Sequence, residues 1–193
     1  MAEISSNRNI LIRKLIHISS CILPIFYYFS HNGELIKLIA VFLAVGFLIA
    51  DFMRMHFSIA KHYFQRIFLK LLKENEKKYE LTGATYLFLG IATVFFIFDK
   101  KMAVCAALIV TIADPLAAVI GKYKGKINLW NKTLEGSITF FIVSLMIVFS
   151  FYGLTWEIFI VALIVTLMEL LPVKLNDNLT LPVVAGGSLY TLL

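Results

Sequence analysis

The chain has 193 residues, 60% of them hydrophobic, and a formal net charge of +6; its mean hydropathy is +0.87. Soluble domains carry roughly 45–50% apolar residues, so the composition excludes an ordinary aqueous domain. The positive charge sits beside apolar segments, where it suits anionic headgroups or a phosphorylated ligand rather than nucleic acid.

The apolar residues come in continuous blocks of about 20, the length that lets a helix cross a bilayer. Transmembrane strands would alternate instead. The expected fold is therefore all-α: a polytopic helical membrane protein in which residues 1–193 form one integral membrane domain. Cys21 and Cys105 both lie in apolar segments, which argues against a disulfide framework or a zinc site.

Hydropathy predicts about seven spans. The first covers 10–29. Arg13 and Lys14 precede its apolar part as in a signal peptide, but no cleavage site follows, so a retained helix is expected. The second covers 35–50. Over 52–73, Phe52, Met55, Ile59, Tyr63, Ile67 and Leu71 recur at helical spacing. Arg54, Lys61, Arg66, Lys70 and Lys73 fall off that stripe. This predicts a basic amphipathic helix lying along the membrane interface, followed by the hydrophilic link KENEKKYE.

The third span, 81–98, opens on the small residues TGAT and contains Gly90, which favours close helix packing. The fourth, 102–120, contains Asp114 and Pro115. The fifth covers 134–154 and the sixth 156–173. The seventh, 179–193, is short and reads as interrupted at Gly186 and Gly187.

Of the 18 Lys and Arg residues, all but Lys37, Lys100 and Lys101 fall on the N-terminal side of this arrangement. The positive-inside rule then places the N-terminus in the cytoplasm. An odd number of spans puts the C-terminus on the opposite face, in the cell membrane if the source is prokaryotic. On the same cytoplasmic side fall Arg13, Lys14 and His17, then Thr82 and Thr85, then Asp114. Lys132, Thr133 and Glu135, then Glu169, and finally Asn176, Asp177 and Asn178 join them.

An ionisable side chain within a span costs about 2.5–3.5 kcal/mol on insertion scales. Asp114 is therefore a candidate functional residue; its alternative use is a structural pair with Arg13 or Lys14. Pro115 removes a backbone donor and frees carbonyls one turn back, as at a cavity wall. Gly121 and Gly125 bracket a lysine-rich loop. Lys132-Thr133-Leu134-Glu135-Gly136 then opens the next helix, an arrangement suited to phosphate. His17 lies one turn beyond Arg13 on the same face.

Three stretches together resemble a known family. They are Asp-Pro-x-Ala-Ala-x-x-Gly-x-x-x-Gly at 114–125 with Lys-Thr-x-Glu-Gly-Ser at 132–137, Arg-Lys-Leu-Ile-His at 13–17, and Asp-Asn-Leu-Thr-Leu-Pro at 177–182. The pattern resembles the CTP-dependent lipid-alcohol kinases, which include dolichol kinase, phytol kinase and the CTP-dependent diacylglycerol kinase of fungi. The short chain is closer to the phytol-kinase-like and prokaryotic members, and Asn131 stands where the family often has a second lysine.

The resemblance implies CTP as phosphoryl donor, Mg²⁺ as cofactor, and a membrane lipid alcohol as acceptor: an isoprenoid alcohol such as phytol or a polyprenol, or diacylglycerol. It implies that Asp114 either activates the hydroxyl or holds Mg²⁺. Lys132 and the amides near Thr133 and Gly136 would bind phosphate, with Gly121 and Gly125 letting the backbone approach the nucleotide. Glu135 and Asp177 are candidate metal ligands. Arg13 and Lys14 would neutralise phosphate charge, and His17 would orient a group or shuttle a proton. Two other readings fit less of the pattern: a CTP:phosphatidate cytidylyltransferase, and a small transporter with broken fourth and seventh spans.

Overall fold

Pro115 shapes the central helix. It cannot donate a hydrogen bond, and its ring would clash with the carbonyl four residues back. The chain answers with a π-helical turn, Ile109–Ala113, between α6 (Lys100–Leu108) and α7 (Asp114–Lys124). The widened turn ends just before Asp114 and Pro115, so the missing donor and the irregular hydrogen bonding fall at one place in the continuous helix Lys100–Lys124. Such π turns recur at functional sites.

The computed structural model describes residues 2–68, 80–173 and 175–193. The link 73–80, the end of the expected interfacial helix and Lys174 lie wholly or mostly outside them. The described residues are helical apart from turns and one short hairpin, in the order α1 (Ala2–Ser19), α2 (Ile22–Phe29), α3 (Gly33–His56), α4 (Ser58–Phe68), α5 (Gly83–Ile97), α6 and α7. After these come β1 (Asn128–Leu129), β2 (Lys132–Thr133), α8 (Leu134–Tyr152), α9 (Glu157–Leu170) and α10 (Asp177–Leu192).

Four helical stretches are long and apolar enough to cross a membrane: Ile10–Phe29, Gly33–His56, Lys100–Lys124 and Leu134–Tyr152. The stretch Lys100–Lys124 is 67% buried against 11–28% for the other three, so it forms the axis of the bundle. Helices α2, α5, α8 and α10 pack around it, α3 lies outside α5, and α9 sits between α8 and α10. The run Ala103, Val104, Cys105, Ala106 and Ala107 is fully buried, its small side chains allowing close approach. A methyl group on Gly90 would meet the Asn178 carbonyl at 2.5 Å, which fixes the crossing of α5 and α10. Outward, Phe26, Phe29, Phe42 and Met146 are mostly exposed. An apolar exterior this extensive suits lipid, not water.

The structure amends four expectations. The first span breaks at Ser20–Cys21, because Pro24 cannot bond to the Ser20 carbonyl. Helix α3 runs on to His56, and Phe57 turns the chain into α4, so 52–73 is not one interfacial helix. Arg54, which falls off the apolar stripe, is buried beside Asp51 rather than solvated. Gly186 and Gly187 do not interrupt α10; Gly186 leaves room for the Phe98 ring.

Candidate functional site

Two groups of charge meet where α1, α7, α8, α9 and α10 converge. In the first, Lys14 of α1 donates from Nζ to Asp114 Oδ2 at 2.9 Å. In the second, Lys132 of β2 donates from Nζ to Glu169 Oε1 at 2.7 Å and to Asp177 Oδ2 at 2.9 Å. The groups are neighbours: Lys132 and His17, like Lys14, lie near enough to act on the Asp114 charge, and Asp114 acts on Glu169. Ser137, in the first turn of α8, approaches the other Glu169 oxygen at 3.4 Å.

Local structure explains how these side chains are aimed. Asp177 starts α10, where a carboxylate is favoured by the helix dipole; Asp114 follows the π turn inside the continuous helix Lys100–Lys124. Asn176 caps α10, accepting from the Asn178 amide at 3.1 Å. Asn178 in turn donates to the Gly83 carbonyl at 2.8 Å and ties α10 to α5. Lys132 lies on a two-residue hairpin in which Asn128 pairs with Thr133 and Leu129 with Lys132. The Glu135 carboxylate closes that hairpin by accepting from the Lys126 amide at 3.0 Å and the Ile127 amide at 3.4 Å.

The cluster grades from buried to open. The side chains of Glu169 and Asp114 are 4% and 9% exposed, whereas Lys132 and Asp177 are 28% and 31% exposed. A ligand could reach the lysines from outside while the two carboxylates stay in a low-dielectric setting. There, ionic interactions are stronger than in water. Burial works against the Lys132 charge, but Asp177 and Glu169 outweigh it and push its pKa above the usual lysine range. Lys132 is therefore an ammonium at neutral pH.

The glycines have a structural use. A methyl on Gly121 would meet Thr133 Oγ1 at 2.7 Å, and one on Gly125 would run into Thr133 and the Gly121 carbonyl. Gly136 faces the Ala117 carbonyl and Thr133 Oγ1, both at 3.1 Å from such a methyl. Thr133 thus fills the space over Gly121 and Gly125, and its Oγ1 accepts from the Gly136 amide at 3.2 Å.

Of the residues singled out in the sequence, Lys14, His17, Asp114, Lys132 and Asp177 come together, with Glu169 joining them. Arg13 shares α1 with Lys14. Thr133, Gly121, Gly125 and Gly136 form the supporting crossing of α7, hairpin and α8. Glu135 is turned onto the hairpin amides. Among the described residues, no three His, Cys, Asp or Glu side chains gather closely enough to hold a metal alone. Glu169 and Asp177 share one ammonium, so their oxygens stand close together. Two hard carboxylates suit Mg²⁺ when phosphate oxygens complete the shell.

Sequence reasoning passed over a second polar site. Asp51 Oδ2 accepts from the Thr82 amide at 2.7 Å and from the Thr82 and Thr85 hydroxyls. Its Oδ1 accepts from Arg54 Nη2 at 2.8 Å, and Arg54 also reaches the Glu80 carbonyl. The signal was available: Asp51 is an ionisable residue directly after an apolar run, with an arginine three positions on.

Comparisons with known proteins place the chain among relatives. No family model matches it, and no solved structure does. It is 25% identical over 186 residues to the CTP-dependent diacylglycerol kinase 1 of Schizosaccharomyces pombe, covering 84% of this chain and 83% of that protein. It is 31% identical over 179 residues to the uncharacterized protein MJ1137 of Methanocaldococcus jannaschii, covering 90% and 89%. It is also 31% identical over 180 residues to the uncharacterized protein RP860 of Rickettsia prowazekii, covering 88% of each. At that identity and coverage, the chain belongs to one family with the Rickettsia and Methanocaldococcus proteins.

Proposed function

We propose that the protein is a membrane kinase that transfers the γ-phosphoryl group of CTP to the hydroxyl of a membrane lipid alcohol. The observation that carries this reading is the convergence of Lys14–Asp114 and Glu169–Lys132–Asp177 from distant parts of the chain into one half-open cluster. The distant likeness to a CTP-dependent diacylglycerol kinase supports the same chemistry.

Phosphoryl transfer asks a protein mainly for positioning and charge neutralisation. In this reading the lipid's hydroxyl oxygen attacks the γ-phosphorus. The bond to the bridging oxygen breaks, CDP leaves, and the hydroxyl proton passes to Asp114. Lys132 and Lys14 turn from their carboxylates toward the phosphates, and Arg13 adds positive charge. His17 orients Asp114 or relays its proton. Mg²⁺, bound by Glu169 and Asp177 together with phosphate oxygens, would supply neutralisation of the triphosphate. Glu135 stays a hairpin closer rather than a ligand. The tail of the lipid remains in the bilayer.

The reading carries a topology. Helices α5, α9 and α10 complete seven crossings, the N-terminus and the cluster face the cytoplasm, and α4 lies along the interface. The acceptor is an isoprenoid alcohol or diacylglycerol.

The test uses purified protein in liposomes with Mg²⁺ and CTP labelled at either the α- or the γ-phosphorus. Phytol, a polyprenol, diacylglycerol and phosphatidic acid are offered as acceptors. γ-Label in a lipid is the expected result, and the acceptor that takes it names the substrate. α-Label would mean a cytidylyltransferase. Absence of CTP binding, with solute flux across the vesicle, would mean a transporter.

A further inference from the structure

The link between α7 and α8 has a surface of its own, outside the charged cluster. It joins two of the membrane-length stretches, Lys100–Lys124 and Leu134–Tyr152. Covalent continuity therefore holds residues 125–133 where both helices leave the apolar layer. Lys132 and Thr133 of this link face inward. The remainder faces out: Lys122, Tyr123, Lys124, Lys126, Ile127 and Trp130 are all exposed, and Trp130 at the hairpin tip is 67% exposed. No acidic residue interrupts the run from Gly121 to Leu134.

Trp130 is unusual on a second count. Its backbone has φ 50, the sole positive φ at a non-glycine position among the described residues. Bulky side chains rarely adopt that region. The turn nevertheless presents an indole outward, with three lysines a few residues away. An aromatic body with a polar N–H, beside basic side chains, is the composition of a membrane–water interface. Lysines at an anionic leaflet are attracted within a Debye length of the surface.

We infer that this hairpin is a bilayer-docking element: Trp130, Tyr123 and Ile127 enter the headgroup boundary, and Lys122, Lys124 and Lys126 bind anionic lipid headgroups. The inference rests on the membrane reading of the four apolar stretches but not on the kinase reading. Its consequence is positional. Lys132 and Thr133 follow the docked tip directly, so the cluster is held at the depth of lipid headgroups.

Tryptophan fluorescence tests this, because the chain has Trp130 and Trp156 alone. Trp156 precedes α9 at the far end of α8, about 28 Å away for 19 residues at 1.5 Å each. It serves as the internal control. Trp156→Phe leaves Trp130 as reporter and Trp130→Phe leaves Trp156. Each full-length protein is reconstituted in vesicles of phosphatidylcholine, or of phosphatidylcholine with phosphatidylglycerol, carrying lipids brominated near the headgroup.

The expected result is quenching and blue-shifted emission of Trp130 in vesicles containing phosphatidylglycerol. Both effects should weaken in pure phosphatidylcholine. They should also weaken on raising ionic strength from about 0.1 M to about 1 M, which shortens the Debye length from about 10 Å to about 3 Å. Replacing Lys122, Lys124 and Lys126 by Gln should abolish the dependence on lipid charge. Trp156 quenched with Trp130 unquenched would overturn the docking. Equal Trp130 quenching in both lipids would overturn the role of the lysines. Trp130 responding to added CTP instead of to lipid would make the tip a nucleobase contact. Neither tryptophan quenched would overturn the membrane reading itself.

Discussion

Asp51 and Asp114 are both buried carboxylates in largely apolar helices, and the groups around them differ in kind. Asp51 and Arg54 are 1% and 3% exposed. Every oxygen of Asp51 meets a donor from its own helix or from the start of α5. Arg54 also lies over the Phe64 ring at 5.3 Å, joining α3 to α4. Asp114 is met by Lys14, whose side chain is 24% exposed and comes from an element 100 positions away. With Glu169 and Asp177, Asp114 makes three carboxylates that face the partly exposed ammonium groups of Lys14 and Lys132. The first site is closed and serves the fold. The second is half-open, and in the proposed reading a ligand's phosphates compete with its carboxylates for the two lysines.

The comparison breaks first at Asp114. Asp114→Asn keeps the side-chain volume and removes the charge. Transfer from CTP should fall about 10²–10⁴-fold, the usual contribution of a positioned acid–base group, while the melting temperature holds or rises. Lys132→Ala should follow, with a loss of about 10²–10³-fold, as when one donor to a developing anion is removed. The loss should lie in kcat more than in CTP binding.

Asp51→Ala should do the reverse. Breaking one partner of a buried pair costs about 3–5 kcal/mol, so thermal stability in detergent should drop sharply. Activity per folded molecule should stay near the parent's. Glu169→Gln sharpens the boundary between the two classes. It keeps the shape of the contact with Lys132 and Ser137 and loses the charge, and activity should fall by at least the ~10–100-fold seen when a group behind a metal ligand is removed. The smallest effect belongs to Asn32, which caps α3 by accepting from the Leu35 amide at 3.1 Å. Asn32→Ala should cost about 1 kcal/mol and leave transfer unchanged.

Much of this was legible in the sequence because membrane burial makes polar residues conspicuous. Asp114 and Glu169 stand out in apolar runs, and the small residues of 81–90 announced a tight crossing. The partners of Lys132 were not legible, since Glu169 and Asp177 lie 37 and 45 positions away. Glu135 looked equivalent to them by residue type, yet its place in the first turn of α8 turns it to the hairpin amides. Arg54 misled the pattern for a local reason. It falls off the apolar stripe, as a solvated residue would, but Asp51 three residues earlier draws it inward. Gly186 looked like a break because nothing in the local sequence shows the Phe98 ring that fills its place. The π turn before Pro115 is a tertiary answer to a local steric problem, and hydropathy alone does not register it.

The most direct measurement is transfer of γ-label from CTP into a lipid alcohol by the parent protein, Asp114→Asn and Asp51→Asn in identical liposomes, normalised to folded protein. The account predicts transfer by the parent and by the surviving Asp51→Asn molecules, and none above background by Asp114→Asn. Undiminished transfer by Asp114→Asn, or loss of transfer by well-folded Asp51→Asn alone, would contradict it.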